Sequence, residues 1–584
     1  MSLRLAHAVG LAAIALSAFP GVAAAQSTTE IESALQALAG GANQYAVEAI
    51  GLTPDGQRIM ALEPALPPVA NQRRVILVGG LDGTAEATRA VLDVLAWSSE
   101  SGAVISSNRR RWQVAGVPCV LPGRCDVQGA ARASAAAVAP FPPDKGFFDA
   151  PQDREARYLW RWVTMAGPDL VVEVRSGDRL AWTANALASR LVTGATPAAP
   201  DSLAGALGTG APSGLAPVAA LQVSGPTPAV VAALRQLLER RPPNDPSPLH
   251  RVFTTRRARR PLDLARMLAG QYPATPSMSY IPALSWSGAL RVSALTGDPQ
   301  YRDRALAQMQ PFLSGARPAI TEPHLLTSLA GHQALFDLAG RGGPPEARSR
   351  ALTAADFILG QTDDEIVRFA TSWTDDMFMA TSVLARAAAA TGEAKYADAA
   401  ARLLTTYVGR LQREDRLFIH AQSGPHAWGR GNGFAAFGLM EALTHLPESW
   451  PARADVLAAF QRLMNGLRRY QAADGAWHQV VDEPGTYREF TVTAMTVAAM
   501  ARGVRLGWLD RSYREVVDKG WRAVLSRVAD DGSLVDVCTG TGAGQNANRE
   551  YYLTRPALFG RDDRGGAMAL TAALEVHALV NTAP

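Results

Sequence analysis

The rhythm of apolar positions along the chain changes once. Between about residues 30 and 245, short apolar runs alternate with stretches of helical spacing. Arg74-Val75-Ile76-Leu77-Val78-Gly79-Gly80 is a continuous apolar run of strand length, and a helical pattern from Thr84 to Trp97 follows it. Arg154 to Val163 again has helical spacing, and Leu170-Val171-Val172-Glu173-Val174 reads as a second buried strand. Buried strands alternating with helices predict an α/β layered domain. The stretch from about Gly194 to Pro228 is dense in Ala, Pro, Gly and Ser and reads as a loop or flexible insertion. The breaker cluster Arg241-Pro242-Pro243-Asn244-Asp245-Pro246 ends this domain at about 245 and leaves 246–260 as a linker.

From 261 to 584 helical periodicity dominates, with Ala and Leu recurring at three- and four-residue steps. The pattern predicts about twelve helices, the first near 261–270 and the last near 566–580. Part of it repeats. Thr296-Gly297-Asp298-Pro299-Gln300-Tyr301 and Thr391-Gly392-Glu393-Ala394-Lys395-Tyr396 each end one helix, turn, and start the next with Tyr at the same offset. Helical hairpins cannot bury their apolar faces alone, so neighbours must stack, in an open solenoid or a closed ring. Twelve helices in six hairpins fit a closed α/α barrel, an (α/α)6 barrel.

Composition refines this picture. The chain has 584 residues, 48% of them hydrophobic, which is enough for two or three domains with large cores. A formal charge of +4 is too small for nucleic-acid binding at this length. Residues 1–25 carry Arg4, an apolar run from about Ala8 to Phe19 and then Ala23-Ala24-Ala25, which is the make-up of a signal peptide cut after Ala25. No other stretch is apolar enough to cross a bilayer, so a periplasmic or secreted protein without stable membrane insertion is expected. In an oxidising compartment Cys119 and Cys125 are spaced to close a small disulfide, leaving Cys538 over. The cysteines offer no metal-ligand spacing.

Four segments that precede inner helices combine aromatic and polar residues. They are Ser372 to Met379, His426 to Phe434, Trp477 to Thr491, and Tyr551 to Gly566. Aromatic faces stack on sugar rings, while Arg, Asn, His and carboxylates bind hydroxyls and acids. Each piece also has a plain structural reading: Asp375 or Asp376 as a helix cap, Trp428 and Trp477 as core, and the glycines between Trp428 and Phe434 as a tight turn. The convergence of four such loops favours a carbohydrate site.

Asp375-Asp376-Met377-Phe378-Met379, Trp428-Gly429-Arg430-Gly431-Asn432-Gly433 and Trp477-His478-Gln479-Val480 stand in that order, followed by Glu489 to Met495 and Tyr551 to Gly566. Over roughly residues 265 to 580 this resembles the unsaturated rhamnogalacturonyl and glucuronyl hydrolases of glycoside hydrolase families 105 and 88. The resemblance implies an (α/α)6 barrel with no metal or cofactor and an acidic oligosaccharide as substrate. It implies that one Asp protonates C4 of the C4=C5 bond of an unsaturated uronic acid at the non-reducing end. Water then adds at C5, and the hemiketal opens and releases the next sugar. Asp375 matches that acid. Arg430 matches a carboxylate clamp and Trp428 and Trp477 stacking platforms, while Trp373, Asp376, Asn432, Phe434, His478 and Glu489 complete the expected substrate-binding set. Two positions depart from the family. Thr327 or Ser328 stands where a second Asp is often found, and Phe434 replaces a Trp. Two alternatives follow: a hydrolase of saturated uronides with Asp375 as acid and Glu489 as base, and a non-catalytic carbohydrate-binding protein.

The segments Val78-Gly79-Gly80-Leu81-Asp82-Gly83-Thr84-Ala85 and Pro168 to Arg175 resemble the zinc carboxypeptidase fold. That family's His, Glu and His ligands fall at Asp82, Ala85 and Arg175 here. The expected whole is therefore a multidomain chain: an α/β carboxypeptidase-like N-terminal domain without zinc or catalysis, followed by an all-α barrel. The oligomeric state is left open.

Overall fold

In the third strand of the sheet, Val75 and Leu77 enter one apolar cluster and Ile76 and Val78 the other. Such alternation, with both faces buried, is what a central strand between two helical layers requires. The computed structural model describes residues 28–42, 45–65, 68, 72–99, 111–125, 140–143, 154–210, 216–360, 365–542 and 547–582. The signal peptide expected over 1–25 lies outside them.

Among the described residues, eight strands form one mixed sheet: β1 (Tyr45–Leu52), β2 (Arg58–Pro64), β3 (Arg73–Val78), β4 (Trp112–Val117), β5 (Leu170–Arg175), β6 (Ala181–Ala184), β7 (Thr196–Pro197) and β8 (Ala219–Ser224). Their order is β1-β2-β4-β3-β5-β8-β6-β7. The strands β3, β4, β5 and β8 run parallel, and β2 and β6 pair antiparallel to their neighbours in that set. Helices α1 (Thr28–Ala42), α2 (Ala85–Ser99) and α6 (Thr227–Leu238) pack on one side. The short α3 (Pro122–Cys125) ends at the disulfide joining Cys119 to Cys125. Helices α4 (Arg154–Met165) and α5 (Leu203–Thr209) cover the other side.

The stretch 194–228, read from its composition as a loop, contains β7, α5 and β8. Buried Asn185 supplies what composition hides: its Nδ2 donates to the carbonyls of Ala204 and Val218, and its Oδ1 accepts from Ala220 N at 3.2 Å. Nor is 246–260 a plain linker. Ser247 caps α7 (Pro248–Arg257) through the His250 amide, and the Asp169 carboxylate accepts from Ser247 N at 2.7 Å.

Twelve helical arms follow among the described residues. The outer ones are α8 (Pro261–Gln271), α10 (Gln300–Ser314), α13 (Pro345–Ile358), α16 (Ala394–Leu411), α18 (Arg453–Arg469) and α20 (Tyr513–Arg527). The inner ones are α9 (Tyr280–Thr296), the broken arm α11 (Leu326–Leu329) and α12 (Gln333–Ala339), the arm α14 (Thr374–Met379) and α15 (Thr381–Thr391), α17 (Gly429–His445), α19 (Phe490–Arg505), and the last inner helix, Asp563–Asn581. Each inner arm packs on the next and the last packs on α9, so the ring is closed. The repeated Thr-Gly turns end α9 and α15 with Gly297 and Gly392 in the left-handed region, at φ 71° and 76°.

Long connections precede every inner arm and gather at one rim, where β9 (Trp477–His478) pairs with β10 (Arg488–Glu489) and β11 (Leu534–Cys538) pairs with β12 (Ala557–Gly560). Between β11 and β12 lies α21 (Arg549–Leu553), so the last inner helix is α22.

At the opposite end, one ion network links all six inner arms. Arg291 of α9 and Arg502 of α19 each reach Glu575 of α22 at 2.7 Å, and Arg502 reaches Glu441 of α17 at 3.3 Å. Arg386 of α15 joins Glu441 to Asp337 of α12. The pairs thus run in one chain from Asp337 on α12 to Arg291 on α9.

Candidate active site

Trp373 and Asp376 show how the first rim loop is held. The Asp376 carboxylate accepts from the amides of Thr371 at 2.7 Å and Ser372 at 2.9 Å, and from the hydroxyls of Thr371 and, on α16, Tyr407 at 2.6 Å. Burial pushes its carboxyl up to about 6, against those hydrogen bonds. It is a buried brace for the loop, not a sugar ligand. The next residue back has the opposite setting. Asp375 is half-buried, with 20% of its side chain exposed, and its Oδ2 lies 3.1 Å from Nε2 of buried His420. Nδ1 of His420 lies 2.7 Å from the Tyr552 hydroxyl. The rings of Trp373 and Trp428 flank His420 at 5.0 and 4.7 Å.

The glycine motif opens α17 instead of making a turn. A Cβ on Gly431 would stand 2.8 Å from Thr374 Oγ1 and 3.4 Å from the His420 ring, so only glycine lets the Asp375 loop and His420 close on this helix. Asn432 spends its amide on the second loop, accepting from Phe418 N and donating to the carbonyls of Phe418 and Trp428. It too is structural. Phe434 is buried against Phe378 and Tyr280.

Arg430 is fully buried and well organised. Its Nε donates to Thr491 Oγ1 at 2.8 Å, its Nη2 donates to the Cys538 carbonyl, and Glu489 lies 3.6 Å away. Glu489 caps α19: it accepts from the amides of Val492 and Cys538 and from the Thr491 hydroxyl. Those bonds anchor Arg430 and leave Glu489 without access to a sugar. Gly540, at φ 110°, lies in front: a Cβ there would be 3.7 Å from Arg430 Nη1 and 4.0 Å from Arg564 Nη1. Two guanidinium groups thus meet beside one glycine, Arg564 through an Nη1 that also donates to the carbonyls of Cys538 and Thr539. Burial raises the Tyr280 hydroxyl above its usual range, and the charges of Arg564, Arg430 and Asp375 all reach it.

Trp477 and His478 lie elsewhere. Trp477 is core, with Nε1 donating to the Leu467 carbonyl at 2.7 Å. His478 bonds the Thr486 carbonyl through Nδ1 and faces a cavity against the sheet domain, where burial holds it down at about 4. Both were expected at the sugar, but β9 turns them away from the rim opening. The structure thus brings Trp373, Asp375, Trp428 and Arg430 together with His420, Tyr552, Tyr280 and Arg564. Of these four, Tyr552 and Arg564 belong to the fourth aromatic-polar loop. His420 and Tyr280 stand outside the motifs and carry no local signal.

The sequence model described as Glycosyl Hydrolase Family 88 matches residues 263–580. The chain belongs to glycosyl hydrolase family 88. Among curated relatives, this family 88 chain is 31% identical over 175 residues to the unsaturated 3S-rhamnoglycuronyl hydrolase of Alteromonas sp. (strain LOR), covering 28% of this chain and 42% of the relative. It is 30% identical over 120 residues to the unsaturated rhamnogalacturonyl hydrolase YesR of Bacillus subtilis (strain 168), covering 20% and 33%. The matched segments thus span less than half the length of these relatives. Among solved structures, a family 105 glycoside hydrolase of C. acetobutylicum ATCC 824 superposes with a TM-score of 0.49 at 22% identity, covering 54% of this chain and 98% of that one. The unsaturated glucuronyl hydrolase of Bacillus sp. GL1 gives 0.41 at 16% identity, covering 56% and 96%.

Proposed function

We propose that this family 88 chain removes an unsaturated uronic acid from the non-reducing end of acidic oligosaccharides by acid-catalysed hydration of the C4=C5 bond. One observation supports the reading. Of the three carboxylates expected in the site, Asp375, Asp376 and Glu489, the last two are consumed by amide and hydroxyl donors, and Asp375 alone keeps a partly exposed carboxylate. Ordinary glycosidases need two carboxylates about the anomeric carbon, whereas hydration of a vinyl ether needs one acid. The saturated-uronide alternative loses its base in Glu489.

In this mechanism the uronate carboxylate lies in the volume opened by Gly540, paired with Arg430 and Arg564. Trp373 offers a face at the rim. Asp375 gives its proton to C4, water adds to the cation that develops at C5 and the ring oxygen and gives a proton back to the Asp375 carboxylate, and the hemiketal opens to release the next sugar. With Nε2 protonated, His420 donates to Asp375 and accepts from Tyr552 at Nδ1, which keeps the acid aimed. The purified protein given polysaccharide-lyase products should abolish the near-UV absorbance of the unsaturated unit. Turnover of saturated uronides with that absorbance intact would reject the reading.

The N-terminal domain is read as a carboxypeptidase-like fold without zinc. In support, Asp82 Oδ2 accepts from Ser176 N at 2.7 Å, which draws together the ends of the adjacent strands β3 and β5, where such a site would lie. Asp82 also bonds Thr84 and so serves the turn, and Arg175 pairs with Glu173. Export to the periplasm or medium is supported by the apolar run before Ala25 and by the Cys119–Cys125 disulfide.

A further inference from the structure

The polar cavity that His478 faces, of roughly 100 Å³, lies between the sheet domain and the barrel, and Asp375 is not in its lining. Six arginines and three carboxylates line it among the described residues. The carboxylates are already matched. Asp474 lies 2.9 Å from Arg527 and 3.6 Å from Arg488, Asp536 lies 2.9 Å from Arg161, and Glu63 lies 2.9 Å from Arg488. A fourth carboxyl, Glu48, stands 3.7 Å from Arg488.

Arg257, at the end of α7, and Arg522, on α20, are left over. Arg257 donates through Nε to Ser526 Oγ at 2.9 Å and lies over the Phe253 ring, and it makes no ion pair among the described residues. The Arg522 side chain lines the same cavity and makes neither a hydrogen bond nor an ion pair among the described residues, and its charge is felt by Asp518 on its own helix. Burial first, and then the charges of Arg74, Arg522 and Arg527, hold Arg257 down at about 10, against the attraction of Asp474. Like charges gathered in an enclosed space repel strongly where the effective dielectric is low. An oxyanion between the two forks would relieve that repulsion with charge-assisted hydrogen bonds.

We propose that this cavity binds a small oxyanion, a sulfate, a phosphate or the carboxylate of a sugar acid, between Arg257 and Arg522. The bound anion would tie α7 and α20 of the barrel side to the face of the sheet domain that carries Arg74 and Arg161. It would act as a ligand of the domain junction, separate from the catalytic rim.

Calorimetric titration of the full chain in chloride buffer at constant ionic strength, with sodium sulfate, sodium phosphate and sodium D-glucuronate in separate runs, tests this. Saturable one-to-one binding of at least one anion is expected, weakened about tenfold or more in Arg522→Gln, the loss expected when one charge-assisted bond is removed. Preference for sulfate or phosphate assigns an inorganic anion, and preference for glucuronate a sugar acid. The Arg522 side chain has no hydrogen bond or ion pair among the described residues to lose, so Arg522→Gln should fold, and Arg522→Glu should abolish binding. Arg564→Gln at the catalytic rim should leave this binding unchanged. The proposal is overturned if no anion saturates, if both Arg522 variants bind like wild type, or if only Arg564→Gln weakens binding.

Discussion

Oδ2 of Asp375 lies 3.1 Å from Nε2 of His420, a residue that belongs to none of the sequence motifs. His420 is buried between two tryptophan rings and bonded to Tyr552 behind, so it has one position to offer. His420→Gln and Tyr552→Phe should lower kcat more than they raise KM. Losing a hydrogen bond to a charged group costs about 1.5–3 kcal/mol, or roughly tenfold to a hundredfold in rate, for His420→Gln. Tyr552→Phe, one bond further away, should lose less. Steady-state kinetics on an unsaturated disaccharide measure both, and a change confined to KM would mean that His420 binds sugar and does not position the acid.

Asp375→Asn keeps the shape of the side chain and cannot give a proton. It should fold, bind substrate and lose at least about a hundredfold in turnover, the lower end of what a placed general acid contributes. Single-turnover absorbance decay with a parallel binding titration separates the two effects. Near-wild-type turnover in this variant would remove Asp375 from the mechanism.

Asp376→Asn should act on stability instead. Four donors converge on that carboxylate, and an amide nitrogen in place of one oxygen sets donor against donor. A loss of about 1–3 kcal/mol is expected, seen as a lower midpoint in denaturant unfolding. Below the melting range the variant should retain far more activity than Asp375→Asn.

Glu575→Gln should be among the most damaging single changes at the closed end of the barrel. Glu575 is fully buried among Arg291, Arg502 and Arg505, and removing one side of a buried ion network costs about 3–5 kcal/mol. These guanidinium groups hold Glu575 below the usual carboxylate range, as Arg386 does for Glu441 and Asp337. A lowered folded-state value means the stabilisation is present above the unfolded value of about 4.3 and is lost as pH falls below it. Urea midpoints measured from pH 6 down to pH 3 should fall steeply in the wild type and less in Glu575→Gln.

The local pattern was sufficient for much of this protein. Spacing located the helical arms, and continuous apolar runs located the strands β3 and β5, because a 3.6-residue period or an unbroken apolar run reports what is buried whatever lies opposite. The Thr-Gly turns could be read because glycine is the residue that takes the left-handed cap without strain. The motifs pointed to Asp375, Trp428 and Arg430. Other assignments needed partners that are distant in sequence. Asp375 and Asp376 are adjacent and chemically alike, and only Tyr407 and the Thr371 turn on one side, and His420 on the other, make one a brace and the other exposed. Asn432, Trp477 and Glu489 have the chemistry of sugar ligands, but each found its partner inside the protein first. The short β8 gave no composition signal because its stability comes from pairing with β5 and β6 and from the bonds of Asn185. The ion network of the barrel floor was invisible for the same reason. Its charges sit on six arms spread from Arg291 to Glu575, and in a linear chain a charge on an apolar face is a contradiction until ring closure brings its counter-charge within 3 Å.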